Sequence, residues 1–364
     1  MRAITDAREF SEALNRLSQL LPQSSIPALE GVYVRFSGGR CNLTATDLST
    51  WLTVEIPAQG DDFAFVLTQA KRIAKACRRS SGEMSLELAE TGEGRRRQLR
   101  LRMCYGARTG EFDALFPKDY PERPEVEADH TFTVNAAYLS ARIGRVSYPV
   151  RYPMENVSTQ RTSVQFCGSH IFSLDGCRLA WDTDEAVNFP EDFLVSAAPL
   201  AYLKAFGEQD VAVRLGKRLL EITGGALCLR LRRELAVPFQ LHDAIPACFE
   251  TEICISPKNF LEELDYLEKI VPASKVRALR FCGGRLLVEA NGCRCSTEIQ
   301  VEGVSHIEIG LHRSHLIEAL RQFKTEPRVR MKLNSSISPI ILEADGRNDR
   351  AMILPVRLKA PAAA

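Results

Sequence analysis

The feature that most restricts the fold of this chain is a set of helix and strand signals that occurs three times, about 115 to 130 residues apart. Each block opens with a helix signal, an apolar run at helical spacing. The first run begins at Asp6, the second follows Asn135 as a capping residue, and the third begins at Ser256-Pro257, a capping serine with proline in the first turn. This repeat is too long for a solenoid unit and has the length of a whole domain. The chain is therefore predicted to contain three copies of one domain.

Each first helix is followed by alternating strands with glycine-containing turns, and a second helix closes the middle of each block. The second helices are predicted over residues 69–79, 197–206 and 312–323. Two helices on an antiparallel sheet form an α+β domain. The predicted segments are domain 1 (1–126), domain 2 (127–245), domain 3 (246–358) and a disordered tail (359–364).

The composition excludes a strongly basic or strongly acidic protein, because 47 basic residues balance 46 acidic ones to a formal net charge of +1. Any surface that binds nucleic acid must therefore be a local concentration of cations. No apolar run reaches the roughly 18 residues of a membrane span. The polar start after Met1 is unlike a signal peptide, so we expect a cytoplasmic protein without a membrane partner.

Metal binding is not indicated by the eleven cysteines, which are scattered singly without a CxxC pair. His312 and His315 share a predicted helix, but the sequence near them offers no third ligand. Reduced, buried thiols are the expected state of the cysteines in a cytoplasmic protein. We predict neither a metal site nor a cofactor.

Catalysis is considered for Cys177, because the neighbouring Arg178 could lower a thiol pKa. No histidine is placed by the sequence to act as its base, and no P-loop, GxGxxG, HExxH or GxSxG pattern occurs. Asp47 and Asp175 occupy equivalent positions in two blocks, which indicates a shared role in capping turns. We therefore predict a protein without catalytic residues.

A basic face is predicted on the second helix of the first block, where Lys71, Lys75 and Arg78 recur at helical spacing beside Arg72 and Arg79. An ordinary solvated face is the alternative, but helices of the other blocks also carry cations, which favours contact with phosphate. These further cations are Arg142, Arg145, Lys204, Arg313, Arg321 and Lys324. Such contacts bind DNA independently of its sequence and weaken with salt. No aromatic residues are interleaved with these cations, which argues against a surface that stacks the bases of a single strand.

Four short motifs give the blocks a resemblance to a known family. They are Ala45-Thr46-Asp47-Leu48, Phe116-Pro117, Asp175-Gly176-Cys177-Arg178-Leu179-Ala180 and Leu354-Pro355-Val356-Arg357-Leu358. In this order the chain resembles, over essentially its whole length, the bacterial DNA polymerase III β subunit, or sliding clamp, family. The resemblance implies a head-to-tail homodimeric ring around duplex DNA. Such a ring is a processivity factor that tethers DNA polymerase III and is loaded by a clamp loader.

The resemblance also implies a groove between the second and third domains, in which partner proteins dock a short linear motif. The implied groove residues are Met154, Leu174, Gly176, Arg178, Leu179, Pro246, Met352, Leu354, Pro355, Val356 and Arg357. Leu174 replaces a small polar residue of the family and Cys177 replaces a common histidine, so the partner peptides are expected to differ.

The family's ring interface joins apolar residues of the first and third domains. Ile270 and Val271 fit the third-domain side, while Tyr105 and Ala107 stand where bulky apolar residues are expected in the first. This departure leaves a second interpretation open. The chain is then a divergent clamp-like protein that binds clamp partners without encircling DNA.

Overall fold

The computed structural model describes residues 1–77, 81–92, 97–151, 157–271, 279–290 and 293–358. The chain divides into two compact units, the first of residues 1–139 and 201–233, the second of residues 140–200 and 234 onward. The predicted second domain is shared between these units. Its organisation as one of three separate domains therefore stays a prediction.

Both units combine helices with antiparallel sheet, as the α+β prediction requires. The helices are α1 (Ala7–Leu17), α2 (Ala70–Cys77), α3 (Ala136–Val146), α4 (Ala197–Leu200), α5 (Leu241–Ala244), α6 (Pro257–Ile270) and α7 (Arg313–Gln322). The first strands are β1 (Arg2–Asp6), β2 (Val32–Ser37), β3 (Arg40–Thr46), β4 (Thr50–Gly60), β5 (Phe63–Leu67), β6 (Glu83–Thr91), β7 (Gln98–Tyr105), β8 (Arg108–Ala114) and β9 (Ala128–Asn135).

The remaining strands follow the same pattern of short antiparallel segments. The next are β10 (Ser163–Cys167), β11 (His170–Leu174), β12 (Arg178–Thr183), β13 (Phe193–Ser196), β14 (Asp210–Gly216), β15 (Leu219–Gly224), β16 (Leu227–Glu234) and β17 (Thr251–Ile255). The last are β18 (Leu279–Cys282), β19 (Arg285–Ala290), β20 (Cys293–Glu298), β21 (Val301–Glu302), β22 (Ile309–Leu311), β23 (Val329–Leu333), β24 (Ile340–Glu343) and β25 (Asp349–Ile353).

Polar side chains cap three of the helices, and the predicted caps at Asn135 and Ser256 are confirmed. Asp6 accepts hydrogen bonds from the first backbone amides of α1. The Asn135 side chain accepts from the amide of Tyr138 at 3.0 Å, and the Ser256 hydroxyl accepts from that of Asn259 at 3.4 Å. These side chains satisfy amides that have no partner within the helix.

The prediction of one α-helix over residues 197–206 is wrong in part. The helix α4 ends at Leu200, and a 3-10 helix continues over Ala201–Phe206. Leu200, Leu203 and Phe206 are all buried at a spacing of three residues. That spacing places one apolar face inward in a helix with three residues per turn, which favours the 3-10 form.

The long strand β4 connects the strands of the first unit. It pairs with β3 along most of its length, with β16 through Thr50–Val54 and with β1 through Ala58–Gly60. The turn that enters β4 is therefore held between strands of two different blocks.

The second unit repeats this arrangement at β12, which pairs with β11 on one side and β25 on the other. Leu179 of β12 stands opposite Met352 of β25. A separate four-stranded sheet in this unit has the order β20-β19-β18-β22. The turn that enters β12 is thus the structural counterpart of the turn that enters β4.

Candidate functional site

The helix α2 presents the predicted basic face. Lys71, Arg72 and Lys75 are exposed, while Ile73 and Ala74 are buried on the other side of the helix. None of the three cations forms an ion pair within the described part of the chain. Arg78 and Arg79 lie outside the described residues. The three exposed cations are free to contact phosphate groups.

The structure contradicts the assignment of Arg142 to a DNA surface. Its side chain is fully buried, with Nε 2.5 Å from Asp182 Oδ1 and Nη2 donating to Ser169 O at 2.9 Å. Arg145 binds the other oxygen of Asp182 at 3.0 Å and keeps 35% of its side chain exposed. The two arginines together balance one buried carboxylate, which a helix pattern alone cannot reveal.

The predicted cations of the remaining helices also divide into two groups. Lys204, Arg321 and Lys324 are exposed. Arg313 is buried, donates from Nη1 to Val271 O at 3.0 Å and lies 3.6 Å from the Glu268 carboxylate, so the prediction that it contacts DNA is wrong. Arg313 instead joins the end of α6 to the start of α7.

The turn before β12 is held by Asp175. Its Oδ1 accepts from the amides of Cys177 and Arg178 at 2.8 and 2.7 Å. Gly176, which follows Asp175, has a φ of +91°, in the left-handed region that glycine adopts without strain. The predicted capping role of Asp175 is confirmed.

The Arg178 guanidinium is part of this turn. Nε donates to Asp175 Oδ2 at 2.8 Å, and Nη1 donates to Glu318 Oε2 at 2.6 Å. Burial alone would lower the pKa of Arg178, but the two carboxylates outweigh it and raise the pKa. Arg178 therefore stabilises the turn. Its guanidinium is already paired and is not free to contact a partner at the rim of the groove.

An apolar cluster lies beside this turn and contains three of the predicted groove residues. Leu174, Leu179 and Met352 are buried in it. The other buried members are Phe172, Trp181, Leu241 and Ile341, with Phe239, Ala244, Ile245 and Phe249 partly buried around them. From this segment the sequence analysis named only Pro246, although the apolar residues before and after α5 were a signal for the others. It missed Phe239, Leu241, Ala244, Ile245 and Phe249.

The C-terminal segment completes the edge of this cluster. Leu354 N donates to Cys177 O and Val356 N to Gly310 O, each at 2.8 Å. Leu354 and Arg357 are exposed, whereas Pro355 and Val356 are half-buried. Pro246 is half-buried, and Met154 lies outside the described residues. We name the surface formed by the turn, the cluster and residues 354–357 the candidate groove.

The first unit contains a cavity of about 310 Å³ next to the β7–β8 hairpin, where Tyr105 was predicted to be an interface residue. Its lining is mainly apolar and includes Ile73, Cys77, Met103, Tyr105, Gly110 and Phe112. Phe112 folds over Gly110, where an added Cβ would lie 2.8 Å from the ring. Ala107 is exposed in the hairpin turn and is not part of the lining.

On the other predicted side of the interface, Ile270 is 45% exposed at the end of α6. Val271 is only 3% exposed, so its assignment to an intermolecular surface is wrong. Tyr266, one turn before Ile270, is exposed and was missed. The i, i+4 spacing of these two residues places them on one face of α6.

Among the described residues, no group of three or more histidine, cysteine, aspartate or glutamate side chains is arranged to hold a metal ion. No helix in the described ranges is long and apolar enough to cross a membrane.

Comparison with known proteins identifies similarity along nearly the whole chain. No protein family model matches the sequence. A curated relative named Beta sliding clamp, from Pseudomonas putida, is 24% identical over 361 residues, which cover 92% of this chain and 94% of the relative.

Two solved structures share the fold at lower sequence identity. The DNA polymerase III subunit beta of Pseudomonas aeruginosa has a TM-score of 0.85 at 19% identity and covers 98% of this chain and 100% of its own. The DnaN sliding clamp of Bartonella birtlesii, bound to griselimycin, has a TM-score of 0.87 at 17% identity with the same coverage.

Proposed function

We propose that this chain, which has the fold of the bacterial sliding clamps, acts as a DNA sliding clamp. The similarity along almost the entire length in both sequence and structure carries this proposal. The chain would act as a processivity factor without a reaction of its own. A ring around duplex DNA keeps a tethered polymerase at a high effective concentration near the primer end.

We propose that the DNA surface is formed by the exposed cations on α2 and on the helices of the later blocks. These are Lys71, Arg72, Lys75, Lys204, Arg321 and Lys324, with the half-paired Arg145 as a further candidate. Flexible lysine and arginine side chains bind phosphate without reading bases. Binding of this kind permits sliding and weakens steeply with salt.

We propose that two chains close the ring through the cavity beside Tyr105. In a head-to-tail dimer, Ile270 and Tyr266 of a second copy would fill this cavity, whose lining includes Arg108. The exposed acids of α6 near Ile270 complement this cation. Apolar burial would supply most of the affinity, and the charges would orient the two chains.

We propose that the candidate groove receives a short apolar motif from DNA polymerase III, from a clamp loader and from other partners. The buried Leu174, Leu179 and Met352 form an apolar floor, and the exposed Leu354 extends it toward solvent. Methionine and leucine side chains adapt to ligands of different shape. Leu174 makes this floor more apolar than a small polar residue would.

A second candidate function is favoured by α6, whose exposed face carries Glu262, Asp265 and Glu268. Such a face repels phosphate if it is turned toward DNA. The chain would then be a clamp-like binding protein that recognises the partners of a clamp without encircling DNA.

The solution mass tests the ring first. Light scattering across a concentration series is expected to give twice the chain mass of 40.6 kDa. Ile270→Glu is expected to give a monomer, because it places a charge in an apolar cavity. The matched control Val304→Glu changes an exposed apolar residue elsewhere and is expected to stay dimeric.

Retention on DNA distinguishes the two functions. A closed ring loaded onto nicked circular DNA should stay bound and should leave after the circle is linearised. A monomeric mass, or equal retention on circular and linear DNA, contradicts the clamp proposal. A monomer that still binds clamp-partner peptides supports the second candidate.

A further inference from the structure

The turn over residues 46–50, between β3 and β4, is a closed hydrogen-bonded structure in the first unit. Asp47 Oδ1 accepts from the amides of Ser49 and Thr50 at 2.9 and 2.7 Å. Asp47 N donates to Thr50 O at 3.3 Å. Thr46 Oγ1 donates to Thr50 O at 2.7 Å and accepts from Leu48 N at 2.9 Å. These hydrogen bonds fix the backbone conformation of the turn at Leu48.

The groove turn shares the three hydrogen bonds of the aspartate, although Leu174 has no hydroxyl to repeat those of Thr46. Asp175 Oδ1 accepts from the amides two and three residues later, and Asp175 N donates to Arg178 O at 3.2 Å. A strand of the following block lies beside each turn, with Arg232 N donating to Ser49 O at 2.9 Å and Leu354 N to Cys177 O at 2.8 Å. The first unit thus contains a structural copy of the turn that borders the candidate groove.

Leu48 stands at the position of Gly176 and has a φ of +73°. A leucine reaches the left-handed region only at a cost in free energy, whereas glycine adopts it freely. The side chain is 43% exposed, so burial does not repay this cost. An exposed apolar residue held in a backbone conformation that it disfavours points to a binding role.

The carboxylate of Asp47 differs from that of Asp175 in its second oxygen. Asp175 Oδ2 binds Nε of Arg178, but Thr50 occupies the equivalent position in the copy. Asp47 Oδ2 consequently has no hydrogen bond or ion pair within the described part of the chain. One exposed anionic oxygen therefore lies next to an exposed leucine.

We propose that the turn over residues 46–50 is a second docking surface, which binds a partner segment with a bulky apolar residue beside a lysine or arginine. The apolar residue packs on Leu48. The partner's cation pairs with Oδ2 of Asp47, as Arg178 pairs with Oδ2 of Asp175. This surface goes beyond the proposed clamp function, because neither ring closure nor the candidate groove uses it.

Two short fluorescein-labelled peptides test the proposal on the full-length chain by fluorescence polarisation. One contains Leu-Phe beside two lysines, and the other has glutamates in place of the lysines. The lysine peptide should bind at least about tenfold more tightly, since a tenfold change corresponds to the loss of one modest contact. Leu48→Gly and Asp47→Asn should each weaken its binding about tenfold.

The variants separate binding from folding. Glycine suits the backbone of residue 48, and asparagine keeps the Oδ1 cap while it removes the charge, so both should melt no lower than the parent chain. Val304→Gly removes an equally exposed apolar side chain elsewhere and should leave peptide binding unchanged.

The proposal is overturned if the lysine peptide does not bind, if it binds Leu48→Gly as tightly as the parent, or if Val304→Gly reduces binding as much. Failure of the clamp function is a separate result. A monomeric mass with intact, Leu48-dependent peptide binding would reject the ring and keep this surface.

Discussion

Arg178 and Glu318 form an ion pair with 2.6 Å between Nη1 and Oε2, which connects the turn before β12 to α7. The Arg178 guanidinium also lies 5.8 Å from the centroid of the Tyr148 ring. Arg321, one of the exposed cations, is on the same helix as Glu318. The edge of the candidate groove and a helix proposed to face DNA therefore share a direct polar contact.

Glu318→Gln should lower the free energy of unfolding by about 1–2 kcal/mol, because the largely buried Arg178 loses one of two carboxylate partners. Urea unfolding measures this loss. Glu308→Gln is the matched control, since Glu308 pairs with Arg280 at 3.0 Å but is half exposed, and its loss should stay below about 1 kcal/mol. Equal losses in both variants would show that the Arg178–Glu318 pair stabilises the fold no more than the exposed Arg280–Glu308 pair does.

Arg142→Met should lower the free energy of unfolding by about 3–5 kcal/mol, because removal of one partner leaves Asp182 buried with only Arg145. Thermal melting or urea unfolding measures the effect. If enough folded protein remains, its DNA affinity should show the parent's dependence on salt. Unchanged stability with weaker DNA binding would contradict this prediction and indicate that Arg142 contacts DNA.

Lys75→Gln should weaken DNA binding without a change in stability, because the side chain is exposed on α2. The slope of log affinity against log salt should fall in magnitude by about 1, as for the loss of one phosphate contact. Lys217→Gln makes the same charge change between β14 and β15 and should leave the slope unaltered. A smaller slope in both variants would indicate only a general effect of net charge.

His315 should make the protein less stable as the pH falls below about 6.5. Burial, the charge of Arg178 and that of His312 lower the pKa of His315 from 6.5 to about 4. Between these values the unfolded chain binds a proton that the folded chain does not, so unfolding is favoured at the lower pH.

Urea unfolding of His315→Asn at about pH 7 and about pH 5 checks this effect. The variant should lose less stability than the parent between the two conditions. Some loss should remain, because burial also lowers the pKa of His170. An equal loss in parent and variant would mean that His315 does not contribute.

Local sequence signals predicted local structure well. The predicted capping roles of Asn135 and Ser256 depend on contacts within a few residues, and both are confirmed. The shared capping role of Asp47 and Asp175 is confirmed for the same reason. These hydrogen bonds need only the local backbone, so a short pattern contains the necessary information.

The sequence predicted less well which individual charged side chains are buried and which are exposed. Arg142 and Lys75 both stand on helices with basic residues, yet one is buried against Asp182 and the other is exposed. Asp182 is 40 residues away from Arg142 in the chain, and only the packing of α3 against β12 brings them together. Helical periodicity says which residues share a face and not which partner that face meets.

The sequence by itself determined the repeated α+β pattern, the helix caps and the two aspartate turns, because these follow from the order of neighbouring residues. Only the tertiary structure decided that Arg142, Arg313 and Val271 are buried and that Leu48 remains exposed in a left-handed conformation. Burial depends on the distant segments that pack against a side chain, and those contacts exist only after the chain has folded.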